Sequence, residues 1–192
     1  MEIKKFKTNL KLFPLGVAIF ITLSLFGVWQ INFIKTNPKI SLSPTTFSSP
    51  LFNDFHLIIP KLEIEAPIIA NVDGSNQTAY DKALENGVAH FKGTSKPGEG
   101  SNIFIFGHSS FYWYKPGDYK EIFKNLSDLA EGDEIILWYN QKEYKYKITK
   151  IKTVSPSEVN VLQPTAEEQV SLMTCVPPGT TLKRLIIIAK PF

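Results

Sequence analysis

Positions 12–34 carry no charge, whereas beyond Phe55 apolar residues come in short runs cut by turn-forming residues. As a helix, the first stretch would reach ~34 Å, enough for the ~30 Å hydrocarbon layer of a bilayer. It is long for the apolar region of a cleaved signal peptide, and no small-x-small cleavage pattern follows it. The pattern therefore predicts a basic cytoplasmic tail over 1–11, a transmembrane anchor over 12–34 and a Ser, Thr, Pro and Asn-rich linker over 35–54. A domain over 55–192 follows. Four lysines precede the span, so the N-terminus is expected in the cytoplasm and the domain outside the cell.

Within 55–192 the β-type runs are Leu57–Ile59, Ile64–Ile69, Asn102–Phe106, Glu134–Tyr139, Glu143–Val154, Val170–Met173 and Leu185–Ala189. Many short strands with brief helical interludes predict a mainly β fold, a closed or nearly closed barrel. Two short helices are expected, one capped by Thr78 and carrying Ala79, Tyr80, Ala83 and Leu84, the other opened by Asp118 and carrying Ile122 and Phe123. Lys142, Lys145 and Lys147 interleave with Tyr144, Tyr146 and Ile148 as the solvated face of a strand rather than a binding stripe.

Charge changes the picture little. The formal net charge is +3, but Lys4, Lys5, Lys7, Lys11, Lys35 and Lys39 face only Glu2 in the first 39 residues. Without them, acidic residues exceed basic ones by two, which argues against a nucleic-acid partner. The acidic group Asp128, Glu131, Asp133 and Glu134 lacks metal-loop spacing and reads as turn chemistry. No metal ligand set and no cofactor motif is legible, and no acidic pattern places a calcium site.

One cysteine excludes an internal disulfide, the usual use of Cys in an exported domain. Cys175 ends a strand-like run just before Pro177, Pro178 and Gly179, where a thiol can be reached. A thiol attacks only when ionised, which calls for a nearby cation or donor. His108 ends another apolar run after Gly107, whereas His56 lies at the linker boundary and His90 reads as packed or at a rim. Arg184 is the single arginine among 21 basic residues and stands one loop after Cys175. Its planar fork holds carbonyl or carboxylate oxygens in a way lysine cannot reproduce.

Ser171-Leu172-Met173-Thr174-Cys175 resembles the Thr-Leu-x-Thr-Cys signature of sortases, with Arg184 following across one loop. Asn102 to Gly107-His108 is similar to the sortase strand that ends in Gly-His. Ile59 to Ile64, Ala66-Pro67-Ile68 and Gly87 to Gly100 resemble the family's earlier segments, in the family's order. The resemblance implies an eight-stranded sortase-type β-barrel in an exported, membrane-anchored cysteine transpeptidase. It also implies a Leu-Pro-x-Thr-Gly-like sorting signal on surface proteins as substrate, and an amine of a cell-wall precursor or pilin subunit as acceptor. It assigns Cys175 as nucleophile, His108 as acid and base and Arg184 as clamp, and sets Thr174, Ser109 and Leu172 at the substrate. The chain shows no second span after Phe192 and no Asp-Pro-aromatic lid, so it looks more like single-span class D, E or A members than pilin-polymerising ones.

Two readings compete. A different cysteine enzyme acting on peptidoglycan, L,D-transpeptidase or papain-like, would need other local signatures, and a papain-like chain carries Cys before His. A noncatalytic wall-binding β-domain would leave Cys175 merely packed.

Overall fold

The β-branched and aromatic runs form eight strands in a computed structural model that describes residues 55–110 and 117–192. They are β1 (His56–Ile59), β2 (Ile64–Val72), β3 (Val88–Phe91), β4 (Asn102–Phe106), β5 (Glu134–Tyr139), β6 (Lys142–Val154), β7 (Gln169–Val176) and β8 (Lys183–Pro191). Their order is β1-β2-β3-β4-β7-β8-β6-β5, and β5 pairs with β1 to close a barrel. β2–β3 and β4–β7 are parallel, and the remaining pairs are antiparallel. Closure leaves no unpaired sheet edge, the physical reward for building a barrel from short strands. The expected tail, anchor and linker lie outside the described residues. Among the described residues no helix is long and apolar enough to cross a membrane.

Two apolar clusters explain the strand patterns. Leu57, Ile103, Ile105, Leu137, Tyr146, Ile148, Leu172 and Ile187 fill the barrel interior. Phe104, Phe106, Ala89 and Ile186 form a second cluster on the outer face, with Met173, Val161 and Leu162 packed against it. β4 is covered on both faces and buried at all five positions, which is why Ile103–Phe106 reads as an unbroken apolar run after buried Asn102. β6 has water on one side, and so alternates.

The helix α1 (Gln77–Asn86) makes the crossover between parallel β2 and β3. Its cap is Asn76, whose side chain accepts from the Ala79 amide at 3.0 Å, rather than the expected Thr78. At Gly87 a Cβ would lie 2.2 Å from the Pro67 carbonyl oxygen, so the turn out of α1 needs glycine for close approach.

The second expected helix does not form. Ile122, Lys124 and Leu126 donate to Tyr119, Glu121 and Phe123, the three-residue spacing of tight 3-10 turns, and a short 3-10 segment covers Leu126–Asp128. This spacing leaves the Phe123 amide to donate to the His108 carbonyl at 2.9 Å. His56 is the first residue of β1 and stands opposite Pro67 and Trp138. Asp133 accepts from the Ala130 amide and from Lys61 Nζ, both at 2.7 Å, and so fixes the turn before β5.

Candidate active site

Cys175, the last residue but one of β7, stands opposite Arg184 of β8 in antiparallel register. On its other side β7 runs parallel to β4 with Phe106 beside Met173. The Gly107 amide extends that ladder by donating to the Met173 carbonyl at 3.1 Å. The same offset aligns His108 with Cys175. Side chains at alternate positions share a face, so Phe104, Phe106 and His108 fall on the side of β4 that matches Met173 and Cys175 on β7. Cys175 and Arg184 thus form one row across β7 and β8, and the same alternation, continued past the end of β4 at Phe106, brings His108 into line with it.

The supports of this row are local. Thr174 is buried, and its hydroxyl donates to the Gly107 carbonyl at 2.9 Å. That bond ties the residue before the cysteine to the residue before the histidine. At Gly107 an added Cβ would stand 2.8 Å from Phe123 Cδ2, so only glycine lets β4 end above that buried ring. Arg184 Nη1 donates to the Thr181 carbonyl at 3.1 Å and to the Lys183 carbonyl at 3.2 Å, which holds the guanidinium against the loop after the cysteine.

A groove of about 330 Å³ opens from the row over the second apolar cluster. Its lining includes Tyr80, Phe106, Met173, Glu158, Val159 and Leu162 together with Thr174, Cys175 and Arg184. The segment carrying Glu158 to Leu162 is fastened by buried Asn102, whose side-chain amide donates to the Val161 carbonyl at 2.9 Å and the Gln163 carbonyl at 3.2 Å. Ser171 Oγ donates back to Asn102 Oδ1 at 2.8 Å, so the polar group under the groove wall is satisfied.

Tyr80 of α1 stacks on Phe106 with ring centroids 5.2 Å apart and meets His108 edge-on at 6.1 Å. Burial pushes its phenol up to about 12, the charge of Cys175 adding to the effect and Arg184 opposing it. The phenol is therefore near both groups and neutral at ordinary pH.

The sequence-derived sites divide accordingly. Cys175, Arg184 and Thr174 line one groove, and His108 meets the ring of Tyr80, which lines the same groove. Leu172 does not join them, because its position on β7 points into the barrel, where it is fully buried between Ile105 and Ile187. Ser109 is also buried and lies off the groove lining. Met173, one position along, lines the groove instead. His90 is fully buried and accepts from the Asn71 amide through Nδ1 at 3.3 Å, while Nε2 faces the Ser95 carbonyl at 2.9 Å and Thr94 Oγ1 at 3.0 Å. It is a packing histidine. Among the described residues no cluster of His, Cys, Asp and Glu is arranged to hold a metal ion.

A closed eight-stranded barrel whose one cysteine stands opposite an arginine at the mouth of a groove defines a class of cysteine-containing domains. The sortase-domain family model matches residues 57–192, and the chain belongs to the sortase family. It is 30% identical over 138 residues to sortase D of Bacillus subtilis (strain 168), covering 70% of this chain and 61% of that protein. To sortase A of Bacillus anthracis it is 28% identical over 129 residues, covering 67% of this chain and 55% of that protein. The chain thus spans less than two thirds of the length of either relative. Among solved structures it resembles a Clostridium perfringens sortase D5 transpeptidase with a TM-score of 0.59 and 30% identity, covering 73% of this chain and 79% of that one. The pilus-related sortase C of group B Streptococcus aligns with a TM-score of 0.61 and 27% identity, covering 73% and 67%.

Proposed function

We propose that this protein is a membrane-anchored cysteine transpeptidase that cleaves a Leu-Pro-x-Thr-Gly-like sorting signal and joins the threonyl end to an amine. The observation that carries the reading is the register of Cys175 against Arg184 beside a groove whose Tyr80 ring also meets His108. In the first half-reaction the Cys175 thiolate attacks the threonine carbonyl carbon and the developing oxyanion is met by Arg184. His108 in its protonated form gives its proton to the departing glycine nitrogen, the C–N bond breaks and a thioester remains. In the second half-reaction an incoming amine attacks the thioester and loses its proton to neutral His108. The new amide forms, and Cys175 leaves as thiolate. Both ionised groups are regenerated, so the cycle needs no cofactor, oxidant or reductant.

The acceptor in this reading is an amine of a cell-wall precursor or a pilin subunit. The apolar stretch over 12–34 anchors the domain outside the cell. The apolar residues of the groove wall, Phe106, Val159, Leu162 and Met173, suit a peptide whose leading residues are apolar.

The test is acid-quenched mass spectrometry of the enzyme after incubation with a library of Leu-Pro-x-Thr-Gly-like peptides. The expected result is an acyl adduct on Cys175, absent from Cys175→Ala, that an added amine discharges to a joined product. An adduct elsewhere, or transfer by Cys175→Ala, overturns the assignment.

A further inference from the structure

β6 holds five of the fourteen lysines that follow Lys39, in a stretch of 13 residues with one glutamate, although the chain beyond Lys39 has more acid than base. Their spacing is irregular: Lys145 and Lys147 are two apart, Lys150 follows by three, and Lys152 by two. An uninterrupted strand would send the last two to the opposite face. The register against β8 shifts between Ile148 and Lys150, and this bulge restores them. Ile148 and Ile151 still pack with the barrel interior. Lys147, Lys150 and Lys152 stand opposite Lys190, Ile188 and Ile186, all on the outer face of β8. The bulge thus keeps four of the five β6 lysines on one side, Lys142 having the parity of Tyr144 and Tyr146.

Charge pairing along the row is incomplete. Lys145 and Lys190 are bridged to Glu143 and Glu167, at 3.0 and 2.8 Å. Lys147, Lys150 and Lys152 are within ion-pair distance of no carboxylate among the described residues. Lys147 instead lies over the exposed ring of Phe192, 4.2 Å from its centroid. The row from Lys145 to Lys152 is ~23 Å long at the usual rise of a strand. That is too long for a single small anion and suits an extended array of negative charge. Its far end leads to the row of catalytic candidates, because Val154, two residues after Lys152, is opposite Arg184.

We propose that the lysine face of β6 and β8 rests on an anionic lipid surface and so sets the orientation of the groove relative to the membrane. The proposal rests on the anchored reading above, under which a stretch of about twenty linker residues keeps this domain close to a bilayer. Charge complementarity selects the occupant: basic residues with an adjacent aromatic ring, on the outer wall of a barrel, match a plane of anionic headgroups. Each lysine held at such a surface strengthens association by about fivefold at low salt. The attraction fades as salt shortens the screening length to ~3 Å at 1 M.

The test uses the full chain reconstituted into vesicles of phosphatidylcholine alone or with phosphatidylglycerol. Lysines are acylated with a water-soluble reagent and quantified site by site by mass spectrometry. Lys147, Lys150 and Lys152 should react at least threefold more slowly in the anionic vesicles, and 1 M salt should restore their rates. Lys61, Lys92 and Lys124 serve as controls and should not change. Cys175→Ala protein should give the same protection, so a failure of the transpeptidase reading and a failure of this one are distinguishable. In the triple variant Lys147→Gln, Lys150→Gln, Lys152→Gln, the remaining Lys145 and Lys190 should lose protection. Equal labelling in the two vesicle types overturns the proposal. Protection by a soluble polyanion but not by anionic vesicles also overturns it, in favour of a polymeric partner.

Discussion

The hydroxyl of Thr174 donates to the carbonyl of Gly107 at 2.9 Å, joining the residues that precede Cys175 and His108. Both strands end here, and backbone ends are where register is least constrained by further ladder bonds. A side-chain bond at that point fixes the offset between β4 and β7 where the chemistry depends on it. The threonine of the signature thus has a mechanical reason independent of any contact with substrate.

Thr174→Val keeps the shape and removes the donor, leaving the Gly107 carbonyl short of a partner. The expected cost is ~1–3 kcal/mol of stability by urea denaturation. Transfer should fall further than stability does, because the offset of His108 from Cys175 loosens. Thr174→Ser should recover most of both. A valine variant with normal turnover would show that the ladder alone holds the register.

Tyr80 separates a wall from a titrating group. Its phenol is pushed up to about 12, so it keeps its proton throughout the working range. Tyr80→Phe keeps the stack on Phe106 and the edge contact with His108. Its pH–rate profile should therefore match wild type in the shape of the alkaline limb below about pH 11. Tyr80→Ala removes the ring that the imidazole leans on and should lower kcat/KM by about tenfold or more, in line with the cost of misplacing a catalytic group. An alkaline limb that moves in the phenylalanine variant would mean that the phenol ionises during the reaction.

Much of this was legible in advance, and the failures have physical causes. β4 was readable to the residue because both its faces are covered, so the four positions after buried Asn102 are all apolar. β3 escaped notice because it is four residues long and has buried His90 in its middle, held by local hydrogen bonds that no periodicity reports. The strand ends at Cys175 and His108 were visible as places where apolar runs stop. Leu172 was misassigned because a signature gives order but not parity, and parity on β7 sends Leu172 inward and Met173 into the groove. Tyr80 lies far from Cys175 in sequence and reaches the site only through the crossover that carries α1, so no local pattern marks it. The β6 bulge was likewise hidden, since lysines three apart look like a lapse of alternation until the register is known.

His90 gives a stability prediction with a definite sign. Burial depresses its basicity, so its pKa in the folded protein lies below the ordinary 6.5. The unfolded chain then binds more protons over the interval between the folded value and about 6.5, and stability rises with pH there. His90 contributes fully above that interval, and its contribution falls as the pH drops through it. The structural cause is burial of the ring, and the neutral form also keeps Nδ1 as the acceptor for the Asn71 amide. Tm measured from pH 7.5 to 5 should therefore fall more steeply for wild type than for His90→Gln, even if the variant starts lower. Transfer at pH 7.5 should persist in His90→Gln and be lost in His108→Ala. The reverse pattern would exchange the roles of the two histidines.

Arg184 is the sharpest test of directed donors against simple charge, because the chain uses lysine at every other basic position. Its Nη1 is engaged by the Thr181 and Lys183 carbonyls, which fix the plane of the guanidinium beside the strand that carries Cys175. A guanidinium has five N–H donors in a rigid fork, so it can bond its own loop and still aim others at a substrate oxygen. A lysine ammonium on a flexible stem has to choose between the loop and the substrate. If the role is to meet an oxyanion with aimed donors, Arg184→Lys should lose roughly 100- to 1000-fold in turnover, the usual cost of one missing oxyanion donor. Fold and thermal stability should hardly change, since the side chain is partly exposed and the strand register does not depend on it. Citrulline at this position keeps the planar donors without the charge and should recover part of the loss. Near-normal transfer by the lysine variant would mean that positive charge beside the thiolate suffices, and the aimed-donor role would have to be withdrawn.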